Sequence, residues 1–144
     1  MNYEDLKVIS YIRNNGRASI TDIARDLGLP VIYTLNKIKE YEGGVIKNYT
    51  CIVDFSKLGF QVNAEIKLVV KLEDEKKFEK FIGKNQNINS AYSLEKEGEY
   101  LIEVLFKKEN ELNNFMEDLS RKFNLLEYRV HIVKEEIKRE ALKL

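Results

Sequence analysis

The sequence predicts an α+β chain in two parts, an N-terminal winged helix-turn-helix followed by a ferredoxin-like βαββαβ domain. Three features point there. Residues 1–44 carry apolar positions at helical spacing, interrupted by Gly16, Gly28 and the pair Gly43-Gly44. From Val62 onward, strictly alternating segments exchange with segments of helical period in the order strand, helix, strand, strand, helix, strand. The 144 residues are 44% hydrophobic, enough to build packed cores rather than a disordered chain.

The first helix is expected from Tyr3 to Asn14, where Leu6, Val8, Ile9, Tyr11 and Ile12 fall at helical spacing and Asn14-Asn15-Gly16 supplies a stop. Ser19 with Asp22 three residues on reads as an N-cap for a short second helix. Its buried stripe is Ile20, Ile23, Ala24 and Leu27, and it ends at Gly28. Pro30 suits the first turn of a third helix, because its missing N–H would have no intrahelical partner there. That helix runs to Tyr41, with Ile32, Leu35, Ile38 and Tyr41 expected inward. Val31, Tyr33, Thr34, Asn36, Lys37 and Glu40 are expected outward, with Lys39 at the edge. Val45 to Val53 is β-branched and alternating, as a strand or hairpin would be.

In the second part, Val62, Ala64, Ile66, Leu68, Val70 and Leu72 alternate with Asn63, Glu65 and Lys67 in a half-buried strand. Phe78, Phe81 and Ile82 form the stripe of a helix over 73–84, and Ile88, Ala91, Tyr92 and Leu94 a second strand. Tyr100, Ile102, Val104 and Phe106 share one face of a third strand. Leu112, Phe115, Met116, Leu119 and Phe123 line a second helix, and Leu126 to Ile132 returns as a fourth strand. Helices on one face of such a sheet leave the other face open. Val69, Leu101, Leu105 and Val133 on that side predict a cover, best supplied by a second copy of the chain.

Lys plus Arg and Asp plus Glu each total 24, so no polybasic coat exists and any DNA contact must be a focused surface. Neither half is strongly biased: residues 1–60 hold eight basic and seven acidic side chains, residues 61–144 sixteen and seventeen. One cysteine, Cys51, and one histidine, His131, offer neither a disulfide framework nor a metal or haem cluster, so no metal and no cofactor is expected. No apolar run approaches the roughly 20 residues of a membrane span, and the N-terminus lacks a basic-then-apolar leader, which predicts a cytoplasmic protein.

Two helices joined around a glycine with a β segment after the second make the helix-turn-helix plan with a wing. The run Ile9 to Leu29, with Arg17-Ala18-Ser19-Ile20-Thr21-Asp22-Ile23-Ala24 at its centre, resembles the N-terminus of the Lrp/AsnC family of feast/famine regulatory proteins. Gly44-Val45-Ile46-Lys47-Asn48-Tyr49, followed by Ile52-Val53-Asp54, is similar to that family's exit from the winged domain. The chain departs from the family at Pro30, where relatives have serine, and at Asn36-Lys37, where they carry two basic residues. The segment between Ile38 and Gly44 is also one residue shorter.

The resemblance implies a transcription regulator that binds double-stranded DNA, assembles as a homodimer or an octamer, and answers to a small effector, usually an amino acid. By residue chemistry the DNA-binding candidates are Arg17 before the second helix, Tyr33, Thr34, Asn36 and Lys37 on the third, and Lys47 at the wing. Asn36 is the one suited to pair with adenine. Effectors of the family bind near the turn between the second and third strands, which maps onto Gly98, Glu99 and Tyr100. Anchored on Gly98, the position of the family's acid holds Leu101; anchored on the strand, it holds Glu99. Either way, backbone N–H groups near Gly98 offer a site for a carboxylate.

The expected division is residues 1–54 for DNA, a hinge over 55–61 with Gly59, a sensing and oligomerisation domain over 62–134, and a helical tail over 135–144. No catalytic residue is expected, since no base lies at a telling spacing from Cys51 and no phosphate loop is present. Two rival functions share the layout: an enzyme like the sirohaem decarboxylases, which resemble this family, and an adaptor that has lost DNA binding.

Overall fold

The computed structural model describes all 144 residues and divides the chain into two compact units. Unit one comprises Met1–Val53 with Lys138–Leu144, and unit two Asp54–Ile137.

Unit one holds α1 (Tyr3–Asn14), α2 (Ile20–Leu27) and α3 (Val31–Tyr41). The start of α1 is fixed by a reciprocal cap: the Asn2 side chain accepts from the Asp5 amide, and Asp5 accepts from the Asn2 amide, both at 2.8 Å. The three apolar stripes meet in a small core of Val8, Ile9, Ile23, Ile38 and Tyr41, edged by Ile20, Leu27 and Ile46. Two expectations fail here. Val45–Val53 forms no strand, because nothing in the unit offers it a ladder; a single bridge between Glu42 and Ile46 is all that pairs. The tail carries no helix either. Arg13 holds the Glu140 carboxylate at 2.9 Å and the Leu142 carbonyl at 3.3 Å, and Glu140 adopts φ 49°, which a right-handed helix excludes.

Unit two opens with a 3₁₀ turn at Phe55–Leu58, where a hinge was expected, with Asp54 capping the Ser56 amide. β1 (Val62–Val69), α4 (Glu75–Lys84), β2 (Ile88–Ser93), β3 (Glu99–Phe106), α5 (Glu109–Phe123) and β4 (Glu127–Ile132) follow in the ferredoxin-like order. The sheet is antiparallel throughout, ordered β2-β3-β1-β4. Ala64, Ile66 and Leu68 of β1, with Tyr100, Ile102 and Val104 of β3, pack under α4 and α5 against Phe78, Leu119 and Phe123. Phe78 sits edge-on to both Tyr100 and Phe123, at ring separations of 4.9 and 5.2 Å. The opposite sheet face carries Glu65, Lys67, Val69, Leu101, Glu103 and Leu105, the alternate residues of the same two strands.

Candidate nucleic-acid interface

The turn between α2 and α3 is built from local chemistry. Ser19 accepts from the Asp22 amide at 3.1 Å and caps α2. Gly28 takes φ 67°, a left-handed conformation that favours glycine, and the Leu29 amide donates back to the Ala24 carbonyl at 2.8 Å. Pro30 then caps α3 in an extended conformation without a side-chain hydrogen bond. The acids of α2 are engaged locally. Asp22 and Asp26 bind Arg25 at 2.9 and 3.0 Å, and Asp26 accepts the Tyr11 hydroxyl. The Tyr11 and Arg25 bonds hold Asp26 below the usual carboxylate range, and Ser19 with Arg25 does the same for Asp22.

On α3 the structure redistributes the expected faces. Thr34, expected outward, is wholly buried and donates its hydroxyl to the Pro30 carbonyl at 3.0 Å, so it has no surface to offer DNA. Ile32, expected inward, is 74% exposed, and Val31 is exposed beside it. Thr34, Ile38 and Tyr41, spaced four and three residues apart, form the one stripe of α3 that faces the core. Tyr33 is half-buried, its hydroxyl donated to Glu4 at 3.2 Å; burial and that bond push its phenol up. Lys37 lies 3.2 Å from Glu40 and 3.4 Å from Asp5. Both acids raise its pKa, the Glu40 bond most, so its charge is neutralised within the unit.

That leaves Asn36 and Lys39 exposed along α3, Arg17 exposed before α2, and Lys47 exposed in the segment after α3. The exposed pair Val31-Ile32 and Lys39 were missed as candidates. The spacing of Thr34, Ile38 and Tyr41, four and three residues apart, was the available signal for the buried face.

In unit two, Gly98, Glu99 and Tyr100 lie together at the start of β3, each with an internal partner. The Gly98 amide donates to Glu75 Oε1 at 2.7 Å, Glu99 pairs with Lys67 at 2.8 Å, and the Tyr100 hydroxyl donates to Glu79 at 3.0 Å. Burial, then the Glu79 bond, pushes the Tyr100 phenol well up. The Gly98 amide, expected to meet a ligand carboxylate, meets the carboxylate of Glu75 from this chain instead.

A capped helix, a glycine-closed turn and a second helix with its N-terminal half exposed define a helix-turn-helix DNA-binding regulator. A family model for winged helix-turn-helix DNA-binding domains matches residues 1–42. An HTH-type transcriptional regulator of Pyrococcus furiosus is 32% identical over 120 residues, covering 81% of this chain and 77% of its own. One from Pyrococcus horikoshii is 30% identical over 147 residues, covering 97% and 95%. The fold is shared with LrpC of Bacillus subtilis at a TM-score of 0.85, 24% identity and coverage of 96% and 97%. It is shared too with a transcriptional regulator of Neisseria meningitidis solved with L-Met, at 0.86, 20%, and 96% and 93%. The chain belongs to the Lrp/AsnC family and is a DNA-binding transcription regulator. No helix is long and apolar enough to cross a membrane.

Proposed function

We propose that the regulator works as a symmetric oligomer that places paired α3 helices in successive major grooves of double-stranded DNA. The observation that carries this is the exposed first half of α3, with Val31, Ile32 and Asn36 turned away from a core that Thr34, Ile38 and Tyr41 fill. Val31 and Ile32 suit contact with thymine methyls, and Asn36 suits adenine. Arg17, Lys39 and Lys47 neutralise phosphates, which fix register without reading sequence. Tyr33 and Lys37 serve as braces, since Glu4, Glu40 and Asp5 occupy them.

Self-association runs through the sheet face away from the helices, where the half-buried Val69, Leu101 and Val133 supply apolar contact beside the already buried Leu105. Half-sites then lie about one helical turn apart, or a multiple of it. The effector is an amino acid bound near Gly98, Glu99 and Tyr100; it acts by favouring one arrangement of the assembly. The Neisseria relative solved with L-Met supports that ligand class.

The test is selection of binding sites from random duplexes, followed by sedimentation of wild-type chain and Leu101→Glu. The expected result is a palindromic site, with Leu101→Glu sedimenting as monomer and binding that site at least about tenfold more weakly. A variant that assembles and binds like wild type overturns the sheet interface. Absence of any selected site overturns the operator model.

A further inference from the structure

The turn before β3 is rigidly held. Gly98 adopts φ 76°, and a Cβ there would sit 2.5 Å from the Val70 carbonyl oxygen. The Val70 amide donates to the Gly98 carbonyl at 2.8 Å, the Glu99 amide to Lys96 at 3.1 Å, and the Leu94 amide to Glu99 at 2.8 Å. With those groups spent on the turn itself, the Gly98 amide is the donor aimed at α4. It receives the Glu75 carboxylate at 2.7 Å, a charge-assisted bond. One turn along the same helix, Glu79 accepts from the Tyr100 hydroxyl. Helix α4 thus presents two carboxylates, four residues apart, to the start of β3.

We propose that Glu75 is a built-in competitor for the carboxylate position of this turn, so that an amino acid reaches the Gly98 amide only by displacing it. This rests on the effector assignment above. An intramolecular group acts at an effective concentration of about millimolar or more, which a dilute free carboxylate cannot match. Displacement has a chemical counterpart on the ligand: an amino acid also carries an ammonium group. The adjacent Glu79 is the acid positioned to receive it, a role Leu101 cannot fill. The geometry therefore selects zwitterionic α-amino acids over simple carboxylates, which bring no cation to compensate the displaced Glu75.

The experiment measures L-amino-acid binding by calorimetry and thermal stability in acetate, on wild type, Glu75→Ala and Glu75→Gln. Glu75→Ala frees the amide. It is expected to gain at least about tenfold in affinity for whichever amino acid binds, and to gain thermal stability in acetate that wild type does not. Glu75→Gln keeps an oxygen on the amide and is expected to gain far less. If wild type binds an amino acid and Glu75→Ala binds it no more tightly, the competitor role is overturned while the effector assignment stands. If acetate stabilises Glu75→Ala alone and no amino acid binds any variant, the internal ligand stands and the effector assignment falls. If Glu75→Ala responds to neither acetate nor amino acids, the competitor role is overturned.

Discussion

Tyr41, the last residue of α3, donates its hydroxyl to Asp5 Oδ1 in the first turn of α1 at 2.5 Å. The same carboxylate accepts from Asn2 and faces Lys37 at 3.4 Å, so one buried acid ties the end of the recognition helix to the start of the bundle. The Tyr41 bond, then the Asn2 amide, hold Asp5 below the ordinary carboxylate value of 3.8. Removing the hydroxyl with Tyr41→Phe takes a partner from a buried carboxylate and is expected to cost about 1–2 kcal/mol, read by denaturant unfolding of the full chain. The pH dependence has a fixed sign. Because the folded pKa is depressed, the Asp5 contribution is present above the unfolded carboxylate value and is lost as pH falls through the folded one. The difference in Tm between wild type and Asp5→Asn should therefore be largest near neutrality and shrink below about pH 4. An unchanged difference across that range would remove Asp5 as the acid-sensitive tie.

Thr34 and Asn36 stand two residues apart on α3 and should answer mutation in opposite ways. Thr34→Val keeps the buried shape and loses the bond to Pro30, so about 1 kcal/mol of stability should go while the selected DNA sequence stays the same. Asn36→Ala should leave stability within about 0.5 kcal/mol and broaden the selected site at one position. Specificity lost in Thr34→Val and kept in Asn36→Ala would reverse the assignment of faces.

Phosphate contact is separable from bracing by its salt response. Arg17→Ala and Lys47→Ala should each reduce the dependence of log affinity on log salt by about one unit, with little change in Tm. Lys37→Ala should do the reverse, lowering Tm while the slope holds, because its charge is already shared by Asp5 and Glu40. Equal slopes for all four proteins would show that none of the three lysines and arginines touches phosphate.

Gly98→Ala places a methyl against the Val70 carbonyl oxygen in a backbone conformation that L side chains avoid. The expected loss is about 2 kcal/mol or more, measured by thermal unfolding, with the steepest gain in amide exchange at Val70 and Leu94. A variant of wild-type stability would mean that the turn relaxes freely, which its hydrogen bonds argue against.

Much of this was legible before any coordinates. The alternation of Val62 to Val70 and the spacing of Leu112, Met116, Leu119 and Phe123 named the residues that fill the second core. The Ser19 cap and the Gly28 stop were written in residue types whose local chemistry needs no distant partner. Asn2 with Asp5 is the same kind of signal at the start of α1, and it was readable too. The errors fall where a segment's state depends on something outside it. Val45 to Val53 has strand composition and no strand to pair with, and the tail has helical spacing but is held by Arg13 in another shape.

By itself the sequence determined the order of elements and the apolar faces, because period and capping act over a few neighbouring residues. It also carried, in the runs Ile9 to Leu29 and Gly44 to Asp54, the family resemblance that implies a regulator. Only the tertiary structure decided which polar groups are already spoken for. Thr34, Lys37 and the Gly98 amide all look available in the chain written out; Pro30, the pair Asp5 and Glu40, and Glu75 occupy them once it folds. Hydrogen bonds and ion pairs saturate, and the pair of Lys37 with Asp5 joins residues 32 positions apart along the chain, a separation over which no local pattern carries information.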